Sequence, residues 1–245
     1  VSEKKTDLRR FLFYVSLPYS VAILRPLQAA IHARGDEVRW FLEGVDAAIL
    51  DSRERRLSTV AEVKEYSPEA VFVPGNWVPD FFPGVKVQLF HACGVGKKGH
   101  FRIRGFFDLY CTHGASTTAP FRELAEQHGH FHVIETGWPK HDPLFRGQAV
   151  ERADGRPRVL YAPTFSPSLS SAPALCETIE KISREGAWDW TVKFHSKMNP
   201  DWAAQYTAIQ NDNLRVSEDH DLIPLLHRAD VVVSDTSSVI YEAIL

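Results

Sequence analysis

Cysteine is scarce. Cys93, Cys111 and Cys176 are the three in the chain, too few and too scattered for a disulfide framework, which points to a reducing compartment. An excess of one charge is also missing. The 28 Lys and Arg face 31 Asp and Glu, a net charge of −3 with histidine neutral. That balance excludes the general hold on nucleic acid that a strongly basic face provides, so no nucleic-acid partner is expected, though a local basic patch stays open. No apolar run approaches the roughly 18 residues that span a bilayer. The charged N-terminus (Glu3, Lys4, Lys5, Asp7, Arg9, Arg10) precedes an apolar stretch broken by Ser16 and Pro18, without a small-residue cleavage site, so no signal peptide is expected. These absences together suggest a soluble or peripheral protein on the cytoplasmic side. The sequence also lacks internal repeats and low-complexity segments. It stops at Leu245 inside a helical pattern (Val239–Leu245) with no C-cap signal, and so reads as a fragment missing its C-terminal part.

What is present is apolar mass, 44% of residues, enough for one large core or two modest ones. Short apolar runs alternate with amphipathic stretches, the pattern of β-α-β units around a mostly parallel sheet. Strands are expected at Phe11–Val15, Val38–Leu42, Ala70–Val73, Val85–Phe90, Leu109–Thr112 and Phe131–Glu135. Helices are expected at Val21–Ala33, Leu57–Tyr66 and Thr117–Gln127, the last with Pro120 in its first turn. Residues 137–143 and 151–157 are rich in Pro, Gly and charge and look like an interdomain connection. The alternation then restarts: strand Arg158–Tyr161, helix Ala172–Arg184, strand Trp190–Phe194, helix Asp201–Ile209, strand Leu214–Val216, helix Leu222–His227 and strand Val231–Ser234. Two α/β halves would face one another across a cleft. Ligands of open parallel sheets bind beyond the carboxyl ends of the strands, so chemistry is sought just after each apolar run.

After Val231-Val232-Val233, expected to be buried on both faces, comes Ser234-Asp235-Thr236-Ser237-Ser238. Its hydroxyls can cap a helix whose free N–H groups and dipole face an anion; alternatively Thr236 or Ser237 is only an N-cap. His195 follows the strand ending at Phe194 and can donate to a phosphate or carry a proton, or it is a surface loop histidine. Pro163-Thr164-Phe165-Ser166 offers hydroxyls at the same edge.

His91-Ala92-Cys93-Gly94-Val95-Gly96-Lys97-Lys98-Gly99 is the densest polar and glycine cluster. It spells G-x-G-x-x-G but is not followed by a convincing helix, and it lacks the first Gly and the Ser/Thr of a P-loop. A flexible basic loop beside a histidine suits an anionic substrate and a general base. The pairs His91/Cys93 and Cys111/His113 raise a zinc alternative, although one intervening residue is fewer than structural zinc pairs usually have; the cysteines fit better as small core residues. Asp108, within the Phe106–Tyr110 run, is left open.

Several runs, in order, carry a resemblance. They are Gln88-Leu89-Phe90-His91 with downstream glycines and Lys97, then Phe107-Asp108-Leu109-Tyr110 and Gly137-Trp138-Pro139-Lys140-His141-Asp142. Tyr161-Ala162-Pro163-Thr164-Phe165, Lys193-Phe194-His195 and Ala229–Ser238 follow. From about residue 85 onward the chain resembles the CDP-glycerol glycerophosphotransferase family, the teichoic-acid-polymerase type with a GT-B fold; the first 80 residues carry no such likeness. Ala92, Ser196 and Thr236 depart from the family's usual Gly, Pro and aromatic residue.

The resemblance implies an α/β, GT-B-like protein of two Rossmann-like domains with mostly parallel sheets facing a cleft. Residues 1–150 would form the acceptor-side domain and 151–245 the nucleotide-donor domain, truncated. It implies transfer of glycerol phosphate from CDP-glycerol to a cell-envelope glycan, polyol or lipid-linked acceptor, releasing CMP, with no cofactor and no metal. His91 would be the general base. His195 with Thr164, Thr236, Ser237, Ser238, Asp235 and Lys97 would hold or neutralise the donor phosphates. Glu242 would bind a donor hydroxyl or else be an exposed helical glutamate. A GT-B glycosyltransferase using a nucleotide sugar and a non-catalytic nucleotide-binding module stay open. The implied acceptor and the aromatic segment 77–82 suggest peripheral contact with the inner face of a membrane.

Overall fold

The computed structural model describes residues 8–91, 99–146, 155–219 and 221–244. The chain divides into two compact units, Val1–Asp142 and Pro143–Leu245. The division falls inside the 3-10 segment Pro139–Phe145, ahead of the expected change at 150/151.

The described part of the first unit comprises β1 (Arg10–Val15), α1 (Ser20–Ala33), β2 (Glu37–Leu42), a short β3 (Arg56–Leu57), α2 (Val60–Tyr66), β4 (Ala70–Val73), β5 (Val85–Gln88), β6 (Leu109–Thr112), α3 (Ala115–His128) and β7 (His132–Glu135). The strands form one sheet in the order β3-β2-β1-β4-β5-β6-β7, every neighbouring pair parallel. Because side chains alternate, β1 feeds both faces: Leu12 and Tyr14 enter one apolar cluster, Phe13 and Val15 the other. Each side chain buried in this way contributes about 1.5–3 kcal/mol.

Three local differences from the sequence expectation have physical causes. Leu57 sits in β3 rather than opening a helix, and α2 starts later because Thr59 and Glu62 form a capping box. Thr59 Oγ1 accepts from the Glu62 N–H and Glu62 Oε2 accepts from the Thr59 N–H, both at 3.2 Å. Helix α3 begins at Ala115, which puts Pro120 beyond its first turn. The β4–β5 crossover has no helix; residues 74–84 cover the sheet by inserting Val78 and Phe82, each 1% exposed. Gly84 closes that crossover at φ +87°, where an added Cβ would meet the Pro68 carbonyl oxygen at 2.3 Å.

In the second unit β8 (Arg158–Tyr161), α4 (Ala172–Arg184), β9 (Asp189–Lys193), α5 (Pro200–Ala208), β10 (Leu214–Ser217), α6 (Ile223–Arg228), β11 (Val231–Val233) and α7 (Val239–Ala243) alternate. Their sheet runs β10-β9-β8-β11, again parallel. One expectation fails here. The Val231–Val233 strand is not buried on both sides: Val231 is 40% exposed and its two neighbours are half-buried. As the edge strand among the described residues, β11 has a partner on one side only.

Both sheets reverse their strand order once, between β1 and β4 in the first unit and between β8 and β11 in the second. Ligands of open α/β sheets bind beyond the carboxyl ends of the strands at such a switch point.

Candidate functional site

In the first unit the switch point assembles around His91. Strand β5 stops at Gln88, short of the expected Phe90, because Phe90 turns into the left-handed region at φ +59°. Such a conformation costs an aromatic residue about 1–3 kcal/mol and persists where the surroundings over-determine it. Here the Phe90 ring is locked against His100, Phe121, His113 and Tyr110, with centroids 4.9, 5.2, 5.6 and 6.0 Å away.

The turn places His91 beside the loop after β4, where His91 Nδ1 lies 3.1 Å from the Pro74 carbonyl oxygen. A carbonyl only accepts, so in this pairing Nδ1 carries the proton and Nε2 keeps the lone pair. From the loop after β1, the Tyr19 ring lies 5.4 Å from the imidazole. Burial pushes the Tyr19 phenol up to about 12, so it stays protonated beside the imidazole at neutral pH.

Further along this edge lies an aromatic and imidazole ladder. His113 donates from Nε2 to the Leu89 carbonyl at 3.2 Å, and its ring is 5.2 Å from Trp138, itself 4.8 Å from His141. Lys140 Nζ sits 5.1 Å over Trp138. Burial lowers both imidazoles to about 4, with Lys140 adding to the effect at His141, so neither is a cation at neutral pH.

Asp108, left open by the sequence, accepts from the Lys86 N–H at 2.7 Å and joins the starts of β5 and β6. Cys111 packs in the core, its thiol raised to about 11 by burial. Among the described residues no group of three or more His, Cys, Asp and Glu could hold a metal ion. Cys93, Lys97 and the rest of the glycine-rich stretch at 92–98 lie outside the described residues.

The second unit's switch point is polar. Asp235, expected on a phosphate, has both carboxylate oxygens occupied by protein donors. Oδ1 accepts from the Thr164 N–H at 2.7 Å, and Oδ2 accepts from the N–H and hydroxyl of Ser171 at 2.8 and 2.9 Å. A carboxylate repels phosphate, and this one instead joins the β8–α4 loop to the segment after β11. Ser234 adds a parallel tie, donating from Oγ to the Ala162 carbonyl at 2.6 Å.

Thr236 and Ser238 are exposed, and the Ser237 hydroxyl accepts from the Val239 N–H at 3.3 Å; the N-cap of α7 is Ser238, with no side-chain cap bond, so neither Thr236 nor Ser237 takes that role. His195 is exposed after β9, and its Nδ1 accepts from the Lys197 N–H at 3.0 Å. In the neutral ring that pairing leaves the proton on Nε2 as a donor. The Phe165 ring lies against it at 4.4 Å. Glu242 is 4% exposed, which corrects the alternative of an exposed helical glutamate.

Within the second unit, then, the structure joins Thr164 to Asp235 directly and links the loop carrying Thr164 to His195 through Phe165. Ser237 and Ser238 follow Asp235 at the start of α7. In the first unit His91 is joined instead by Tyr19 and Pro74, which the sequence reading missed, and by Phe90, which it read only as the end of a strand and part of the His91 run. The rule of looking after each strand pointed to the first two positions, after β1 and β4. A left-handed phenylalanine leaves no mark in the sequence.

A model of the family described as CDP-glycerol:poly(glycerophosphate) glycerophosphotransferase matches residues 108–244, more than half of the chain. The chain belongs to that family. Membership makes it a transferase of the CDP-glycerol glycerophosphotransferase kind. No curated protein matches the sequence. Among solved structures, the wall teichoic acid polymerase TagF is 12% identical, over 99% of this chain and 69% of its own, with a TM-score of 0.64. A putative UDP-N-acetylglucosamine 2-epimerase from Listeria monocytogenes is 14% identical over 96% and 76%, also with a TM-score of 0.64. The UDP-GlcNAc 2-epimerase from Neisseria meningitidis, solved with UDP-GlcNAc bound, is 9% identical over 92% and 77%, with a TM-score of 0.57. These likenesses are of fold, and the glycerophosphotransferase has the GT-B type: α/β, with two parallel-sheet units. The family match begins at Asp108, so His91 and its three neighbours lie ahead of it.

Proposed function

We propose that the first unit activates a hydroxyl of a cell-envelope glycan, polyol or lipid-linked acceptor and that the second holds CDP-glycerol. His91 Nε2 takes the proton from the acceptor hydroxyl. The freed oxygen forms a bond to the glycerol-bearing phosphorus, the bond from that phosphorus to the CMP phosphate oxygen breaks, and CMP leaves with the electron pair. His195, donating from Nε2, and the Thr164, Thr236, Ser237 and Ser238 hydroxyls bind the diphosphate and stabilise charge developing on it. Lys97 supplies a cation to the same phosphates. Glu242 binds a donor hydroxyl, and its burial strengthens such a bond. This scheme uses no cofactor and no metal.

The observation that supports the reading best is the bond from His91 Nδ1 to the Pro74 carbonyl, since it sets the tautomer whose Nε2 keeps the lone pair a general base needs. The decisive assay is CMP release by the purified protein from CDP-glycerol, run beside a panel of nucleotide sugars. Release from CDP-glycerol that disappears in His91→Ala is expected. Release from a nucleotide sugar alone would overturn the donor assignment, and full activity of His91→Ala would overturn the base.

We propose that the reaction runs in the cytoplasm, against the inner face of the membrane. Among the described residues no helix is long and apolar enough to cross a membrane. In the β4–β5 crossover Val78 and Phe82 are core residues, while Trp77 and Phe81 stand 47% and 56% exposed and could seat in an interface. Co-sedimentation with anionic vesicles that Trp77→Ala and Phe81→Ala weaken is expected; failure of the wild type to co-sediment would remove the membrane contact.

A further inference from the structure

Asp235 has a different job from the one its place in the hydroxyl-rich run suggested. Its three bonds reach two points of one loop, Thr164 and Ser171, and that loop carries Phe165 between them. The Ser171 hydroxyl is held a second time, at 2.8 Å from the Tyr161 hydroxyl at the end of β8. Phe165 in turn packs its ring on His195, 4.4 Å away after β9. A single half-buried carboxylate therefore ties together the segments that follow β8, β9 and β11, and two of its three donors are main-chain N–H groups that only an acceptor can satisfy.

We infer that Asp235 is a positioning residue: by fixing the loop that carries Phe165 it presets the plane of His195, so that His195 and the Thr236–Ser238 hydroxyls meet a diphosphate as one preorganised set. This rests on the donor assignment proposed above. It goes further by giving the motif's acidic residue a role that involves no contact with ligand, and by adding Phe165 and Ser171 to the machinery.

The test uses the whole chain labelled at histidine, with the His195 ring signal assigned by its loss in His195→Gln. Phe165→Leu removes the ring current and sets the reference displacement. Asp235→Asn keeps the size but turns one acceptor oxygen into an amide donor, which one of its present partners cannot use. The His195 signal should move in the same direction as in Phe165→Leu. The KM for CDP-glycerol should rise about tenfold while kcat falls less than about threefold, a split that follows from losing charge-assisted bonds that shape the ground-state site. Ser171→Ala, which removes one of the three bonds, should show a smaller displacement in the same direction, and it carries the test alone if Asp235→Asn does not fold.

An unmoved His195 signal in folded Asp235→Asn, or in Ser171→Ala where it stands alone, overturns the inference. So does a fall in kcat at unchanged KM. Absence of CDP-glycerol turnover in the wild type would instead strike the donor assignment, leaving the histidine signal to decide the positioning role by itself.

Discussion

The two switch points solve different problems with the same topology. Around His91 a single imidazole is oriented by a main-chain carbonyl and flanked by the half-buried Tyr19 ring, with the turn into it carried by a strained phenylalanine. Around Asp235 a carboxylate gathers three donors and leaves exposed hydroxyls and an imidazole N–H at the rim. The imidazoles are set in opposite senses. His91 bonds through Nδ1 as a donor and His195 through Nδ1 as an acceptor, which leaves a lone pair on one Nε2 and a proton on the other. A proton acceptor needs one tightly aimed atom, and an anion site needs several donors, so the difference in chemistry follows from the difference in wiring.

The largest effect expected is on turnover. His91→Ala should lower kcat by roughly 10²–10⁴ and leave the affinity for CMP unchanged, whereas His195→Ala should weaken CMP binding as well as turnover. Calorimetry of both variants would break the comparison if the two results were exchanged.

Next comes stability in the first unit. Gly84→Ala should cost on the order of 2–3 kcal/mol, because the site demands a left-handed φ and an added Cβ would lie 2.3 Å from the Pro68 carbonyl oxygen, well inside van der Waals contact. Urea denaturation checks it, and a loss below about 0.5 kcal/mol would show that the crossover relaxes freely.

Acid should also single out that unit. His113 and His141 are held at about 4 against an ordinary 6.5, so the unfolded chain binds more protons between these values. Their contribution is complete above about 6.5 and is lost as pH falls through about 4. The melting temperature should therefore drop across that window, and by less in His113→Gln; an identical drop in the variant would refute the assignment.

The smallest effect is that of Tyr19→Leu. It should lower kcat a few-fold, on the order of 1 kcal/mol in barrier, with the donor KM unchanged. A changed donor KM would assign Tyr19 to the donor side instead.

Much of this was legible in the chain. The apolar runs and their spacing placed most strands and helices to within a few residues, and the rule of looking after each strand led to His91, Thr164, His195 and Asp235. Less could be read where distant segments decide. The Ser-Thr-x-x-Glu signature at Ser58–Glu62 marks the true start of α2, whereas the apolar Leu57 just before it suggests an earlier one. The Val231–Val233 run reads as doubly buried by composition, yet burial depends on what lies beside the strand.

By itself, then, the sequence determined the β-α alternation, the parallel character of both sheets and the order of the functional runs, because periodicity and turn chemistry act over a few residues. Only the tertiary structure decided how those runs are used. Thr164 and Asp235 are 71 positions apart, and His91 and Pro74 are 17 apart. Whether a carboxylate meets a ligand or a backbone N–H, and which nitrogen of an imidazole keeps its proton, is set by partners that only the folded sheet brings together.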